Sequence, residues 1–228
     1  MKTSRVAALA AAILLLITLS ACIPGLLDRS PDEELNSERQ QAEKPKQEVS
    51  LPASQLPPAD AQRIIEKRAL ETLEIIKERD FAALAERVHP AGVRFSPYSY
   101  VDVSEAGDLV FSPQEVMTFG EDDTKYTWGH YDGTGFPIEL TPQEYFDEFV
   151  YTADFINAEN VSYNETIGIG NTLENQFQVY PDAIIVEYHF SGFDPQYGGM
   201  DWQSLRLAFE ELDGTWYLVA IIHNQWTI

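Results

Sequence analysis

A chain of 228 residues with 37 acidic against 15 basic side chains, and so a formal charge of −22 at pH 7, is repelled by nucleic-acid phosphates and by anionic headgroups. Nucleic acid is therefore excluded as an expected partner, and from Phe95 onward the only basic side chains are Lys125 and Arg206. The single cysteine, Cys22, excludes an internal disulfide.

The first residues have a three-part layout: basic Lys2 and Arg5, an apolar run from Val6 to Leu19 broken only by Thr18, then small Ser20 and Ala21. This is the pattern of a secretory leader, and the run ends at Cys22 and Pro24-Gly25, short of the ~20 apolar residues that cross a bilayer. The tetrad Leu19-Ser20-Ala21-Cys22 resembles the lipobox of bacterial lipoprotein precursors. That resemblance implies cleavage before Cys22, a diacylglyceryl group on its thiol, and an anchored protein on the extracytoplasmic face of a bacterial membrane. Acyl chains contribute about 0.8 kcal/mol per buried methylene, so two or more hold a protein stably.

From Ile23 to Pro58 the chain is rich in Glu, Gln, Lys, Ser, Asp and Pro, too poor in large apolar groups to offset ordering entropy. The expected organisation is a leader over 1–21, a lipidated tether over 22–58 and one α+β domain over 59–228.

Within that domain, Ile65, Ala69, Leu73 and Ile76 recur at helical spacing and predict a helix over Asp60 to Arg79. Asp80 is placed to N-cap a second helix carrying Phe81, Leu84, Ala85 and Val88. Ser112-Pro113-Gln114-Glu115 and Thr141-Pro142-Gln143-Glu144 both have the capping-box form with Pro at the first helical position. Between them, Tyr126 to Tyr131 and Phe136 to Leu140 flank a hairpin loop at Asp132-Gly133-Thr134-Gly135. Near the C-terminus, Ala183 to Phe190, Trp202 to Leu212 and Thr215 to Trp226 read as strands, the last two joined by a tight turn at Asp213-Gly214. A two-residue loop pairs Leu205 with Ile222 and Phe209 with Leu218 on a core face, and Ser204 with His223 and Arg206 with Ile221 on the other.

Two opening helices followed by long antiparallel strands resemble the NTF2-like or SnoaL-like α+β family, in which helices pack on a curved antiparallel sheet forming a cone. A cystatin-like sheet or another α+β sandwich stays open. The resemblance implies either an acid–base enzyme using the cone cavity or a noncatalytic module that binds a small ligand, an envelope protein or a second copy of itself. For the first, the candidates are His189, His223, Asp201 and Arg206, since imidazole beside a carboxylate moves protons near neutrality and a cation in an acidic half-chain meets a carboxylate. An internal ion pair of Arg206 with Glu187, Glu210 or Asp201 is the favoured reading of that residue. For the second, the aromatic, Gly-rich loops supply a binding rim at Trp128, His130, Tyr131, Tyr197 and Trp202, or equally are long turns whose aromatics cap the core. A dimer face is expected at Tyr217, Val219 and Ile221. Gly168-Ile169-Gly170 lacks the third glycine of a dinucleotide loop, and the four histidines lack zinc spacing, so no cofactor and no metal are expected.

Overall fold

The computed structural model describes residues 51–227, so Cys22, the expected leader and the expected tether up to residue 50 lie outside the described residues. Ahead of residue 59 a short turn, Ala53–Gln55, is held by Ser54 N donating to Pro181 O at 3.1 Å and Asn164 Nδ2 to Ala53 O at 2.8 Å. Helix α1 then runs Pro58–Glu78. Its Ala61, Ile65, Ala69, Leu73 and Ile76 are fully buried, as their i, i+4 spacing requires. It ends where Arg79 takes a left-handed conformation and its N–H returns to Ile75 O and Ile76 O. Asp80 caps α2, Phe81–Ala85, through Ala83 N.

Strand β1, Val93–Ser96, pairs antiparallel with β2, Leu109–Phe111. Helix α3, Pro113–Met117, follows, then the separate hairpin of β3, Tyr126–His130, and β4, Pro137–Leu140. Helix α4, Pro142–Tyr145, widens into a π-turn over Phe146–Val150. Both predicted capping boxes are complete, with Ser112 and Thr141 each exchanging bonds with the Glu three residues on. Strand β5, Asn160–Tyr163, and helix α5, Gln176–Val179, precede the long strands β6, Ala183–Phe190, β7, Gln203–Leu212, and β8, Thr215–Gln225.

The six-stranded sheet has the order β2-β1-β8-β7-β6-β5, antiparallel except where β1 runs parallel to β8. The molecule is thus α+β, with a curved, open and mostly antiparallel sheet. The closing hairpin keeps the expected pairing from Leu212↔Thr215 to Phe209↔Leu218, then slips by one residue, so that Ala208 faces Ala220, Leu205 faces His223 and Arg206 faces Ile222. A bulge of this kind adds a residue to one strand, bends it and increases its twist. Here the inserted residue is Val219, and past it every β8 side chain changes face relative to the expected register.

Both sheet faces are covered. On the helix side, Phe95 is the hub of an aromatic cluster, with Phe111, Phe119, Trp128, Tyr145 and Phe146 at ring distances of 5.6–5.9 Å. On the other side Ile185, Ala208, Val219, Ala220 and Ile222 pack under Val101, Phe177, Val179 and Tyr180. This corrects the expected dimer face: Val219 lies beneath that second layer and Ile221 in the helix-side core. The described chain begins beside the β7–β8 turn, where Leu51 shares a hollow with Glu210, Glu211 and Trp216. Ser96, paired with Ile222, sends the β1 chain out toward the other end of β8.

Phe95→Ala is expected to lower the unfolding free energy by about 3–5 kcal/mol, because a cavity opens among five rings that cannot close over it. Urea unfolding followed by circular dichroism measures the loss, and a change under 1 kcal/mol would contradict the hub role.

Candidate functional site

The bulge decides where the expected catalytic residues go. His223 is turned to the helix side, where it is buried with its ring edge-on to Phe149 at 5.8 Å. Neither ring nitrogen has a hydrogen-bond partner among the described residues. Burial pushes the imidazole down to about 4, against a raising effect of the Gln225 side chain, so it is neutral at pH 7.

Arg206 projects from the opposite face and is also buried. Its Nη1 donates to Glu174 Oε2 at 2.5 Å, its Nη2 to Gly168 O at 2.8 Å, and its Nε lies 3.2 Å from Glu187 Oε2. Glu187 is further satisfied by Ile167 N and Gly168 N, each at 2.9 Å, and Asn224 Nδ2 donates to Gly168 O at 2.9 Å. Of the three expected partners Glu187 is the true one; Glu174, from a distant loop, is the second. Gly168 must lack a side chain here, since a Cβ would fall 2.5 Å from Ser204 Oγ and 2.6 Å from the Trp202 ring. His189 shares this face, with Nδ1 2.8 Å from Ser204 Oγ. Burial lowers its basicity, and the Glu187 charge works against that shift.

Asp201 stands apart in the β6–β7 loop, where Oδ2 accepts from Phe193 N at 3.0 Å and Asp194 N at 2.7 Å. The four expected catalytic residues therefore do not converge: His223 is in the helix-side core, Arg206 and His189 lie on the second face, and Asp201 closes a loop. Two of the expected rim residues are also internal. Trp128 is buried, stacked on Tyr145 at 3.9 Å with Nε1 bonded to Leu140 O at 2.8 Å, and Trp202 lies against His189 at 5.7 Å. Tyr197 is half exposed on the β6–β7 loop, the loop that Asp201 closes.

His130 and Tyr131 do meet a concavity. After β1 the chain from Pro97 to Asp108 loops back to start β2, and three fasteners hold it. Asn175 clamps Val101 by bonding both its N–H and its carbonyl, at 2.8 and 2.9 Å. Arg94 Nη1 reaches Asp108 O at 2.7 Å and Asp102 O at 3.2 Å. Ser96 Oγ and Asp102 N donate to Asp108 Oδ2 at 2.5 and 3.0 Å. Facing this loop is the end of the β3–β4 hairpin, drawn in by Asp132 N donating to Tyr98 Oη at 3.0 Å. Gly129, at φ 143°, allows a close approach, since a Cβ would sit 3.2 Å from Pro97.

Between loop and hairpin lies a cleft of about 360 Å³. Tyr98, Tyr100 and Tyr131 supply aromatic surface, Asp102, Asp108 and Asp132 supply carboxyl groups, and His130 is the sole basic side chain among the lining residues. Partial burial of Asp108 pushes its carboxyl up to about 6, against the lowering effect of the Ser96 and Asp102 bonds and of Arg94. Burial and the neighbouring Glu148 push the Tyr131 phenol up to about 12. Sequence reasoning found the hairpin half of this cleft and missed the loop half. The available signal was Pro97-Tyr98-Ser99-Tyr100, which carries the same mixture of aromatic and polar residues as the loops it singled out. Compared with known proteins, the chain matches no family model, no curated protein and no solved structure.

Two predictions follow from these buried groups. Replacing Arg206 by Met leaves Glu187 and Glu174 facing each other without a cation, with an expected loss of about 3–5 kcal/mol, whereas a triple replacement by Met at 206 and Gln at 174 and 187 loses markedly less; equal losses in denaturant titrations would contradict the ion-pair account. The second concerns pH. His223 is less basic folded than unfolded, so its contribution is complete above about 6.5 and is lost as pH falls toward 4. Asp108 is less acidic folded than unfolded, so its contribution is complete below about 3.8 and is lost as pH rises through about 6. Each amounts to about 3 kcal/mol and the signs oppose. His223→Leu should therefore make stability fall with rising pH between about 4 and 6, and Asp108→Asn should make it rise more steeply, relative to the parent. Parallel curves for all three proteins would contradict both assignments.

Proposed function

We propose that this chain is a lipid-anchored lipoprotein of the bacterial extracytoplasmic face whose NTF2-like domain is a noncatalytic binding module, taking a small ligand in the cleft between the Pro97–Asp108 loop and the β3–β4 hairpin. The observation that carries the reading is that cleft: three tyrosines around a carboxyl group, Asp108, whose Oδ1 has no hydrogen-bond partner among the described residues. A concavity with aromatic walls and a few placed polar groups is the usual form of a small-molecule site. The lipobox-like tetrad supports the anchor, and the order of helices and curved sheet supports the NTF2-like relationship.

The interior that houses chemistry in a cone enzyme is here filled by the rings around Phe95 and by His223, which favours binding over turnover. A second reading, general acid–base chemistry in the cleft itself, is favoured by the Asp108 carboxyl near 6. Against it, no Lys or Arg side chain lines the cleft to stabilise a developing negative charge.

The anchor is tested by expressing the parent and Cys22→Ala chains in a bacterial host. The parent should sediment with membranes and carry acyl mass on the peptide beginning at Cys22, and the variant should lose both. An unmodified sulfur on a parent protein released without detergent would end the lipoprotein reading.

A further inference from the structure

We propose that the ligand of the Tyr98–Asp108–Tyr131 cleft is a small organic cation, an ammonium group carried on an apolar or aromatic body. The assignment rests on the reading of this cleft as a binding site and adds the chemical class of what enters it.

Charge is the first argument. Three carboxyl groups line the cleft, and His130 is the single basic lining side chain. Outside it, the two bases that follow Phe95 in the sequence are already engaged: Arg206 by two glutamates and Lys125 by Glu144 at 3.6 Å. Arg94 lies behind the loop with its guanidinium bonded to the Asp102 and Asp108 carbonyls, and the lining itself presents three carboxyl groups against one imidazole, so a cation is favoured over an anion by the acidic chain and then by the cleft.

Desolvation is the second. Asp108 is partly withdrawn from water, and both of its recorded side-chain hydrogen bonds go to Oδ2. Among the described residues Oδ1 accepts no hydrogen bond. An ammonium N–H supplies both a hydrogen bond and a compensating charge, and charge-assisted bonds are roughly twice as strong as neutral ones. Aromatic surface is the third: Tyr98, Tyr100 and Tyr131 line the same space, and tyrosine rings attract cations within about 6 Å.

Geometry separates an organic cation from a metal ion. Among the described residues no three His, Cys, Asp or Glu side chains gather closely enough to hold a metal; Asp102 and Asp108 are neighbours on the loop, and Asp132 belongs to the hairpin across the cleft. A ligand with its charge at one end and an apolar body a few ångströms long matches that arrangement, and about 360 Å³ accommodates it.

The test uses three probes of one size: phenethylammonium, 2-phenylethanol and phenylacetate. Each is titrated into the full-length chain in a nonionic detergent, with amide chemical shifts recorded at Gly107, Gly129 and Asp132. Phenethylammonium is expected to perturb these amides and to bind at least about tenfold more tightly than the alcohol, with phenylacetate weakest. In Asp108→Asn, whose amide oxygen still accepts from Ser96 and Asp102, the preference for ammonium over alcohol should shrink to within about twofold. Cleft binding by the alcohol or phenylacetate as tight as by the ammonium overturns the cation assignment and leaves the binding reading standing. An undiminished preference in Asp108→Asn also overturns the assignment as drawn, because the cation is then held elsewhere. No perturbation of the cleft by any probe at millimolar concentration overturns both.

Discussion

The second face of the sheet is organised around one guanidinium. Arg206 sits where an apolar side chain would otherwise be expected, between Ala208 and Ser204 on a central strand, and a cation so placed is strongly unfavourable unless carboxylates and carbonyls surround it. Glu187 comes from the neighbouring strand at the directly paired position. Glu174 and the Gly168 carbonyl come from the segment between β5 and α5, which must fold over the sheet to reach it. That folding brings α5 and Tyr180 onto Ile185, Ala208 and Ile222, and Asn175 onto Val101. The clamp on Val101 in turn fixes the loop carrying Tyr98, Tyr100 and Asp108. The cleft thus depends, through two steps of packing, on a charge that never touches it.

What the sequence made legible was local. The apolar stripe of α1, both capping boxes, the Asp80 cap and the β7–β8 turn follow from residues within a few positions of one another, and each is present where its pattern placed it. What escaped was set by insertions and by distance. A valine is as suitable in a bulge as in a regular ladder, so nothing about Val219 marks the slip that turns His223 inward. Gly129 acts similarly in β3. The pairing of β3 with β4 is irregular between Thr127 and His130, so Trp128 is buried while His130, two residues later, is exposed. Glu174 was missed as a partner of Arg206 because it lies 32 positions away in a segment with no periodicity.

The candidate site divides along the same line. Its hairpin half could be found because a loop rich in Gly, Tyr and His stands out between two strands. Its other half is assembled from bonds that cross the chain: Arg94 to two carbonyls, Ser96 to Asp108, Asn175 to Val101. These bonds hold Asp108 in a partly buried position, and it is that burial, against the lowering effect of the bonds themselves, that raises its carboxyl to about 6. The same carboxyl in an unfolded chain is one of 37 acids with nothing to distinguish it. His223 and Asp108 show how burial acts with opposite sign on a base and an acid, favouring the uncharged form of each.

The direction of β8 has a practical consequence. Leu51 lies with Trp216 near the start of that strand, and Pro97 follows the residue paired with Ile222, six positions further along, which corresponds to about 20 Å. A bead, sensor chip or carrier protein attached ahead of Leu51 is therefore joined at the pole opposite the tyrosine-lined mouth. Attachment directly at Leu51 is the orientation of choice for screening compounds against this domain.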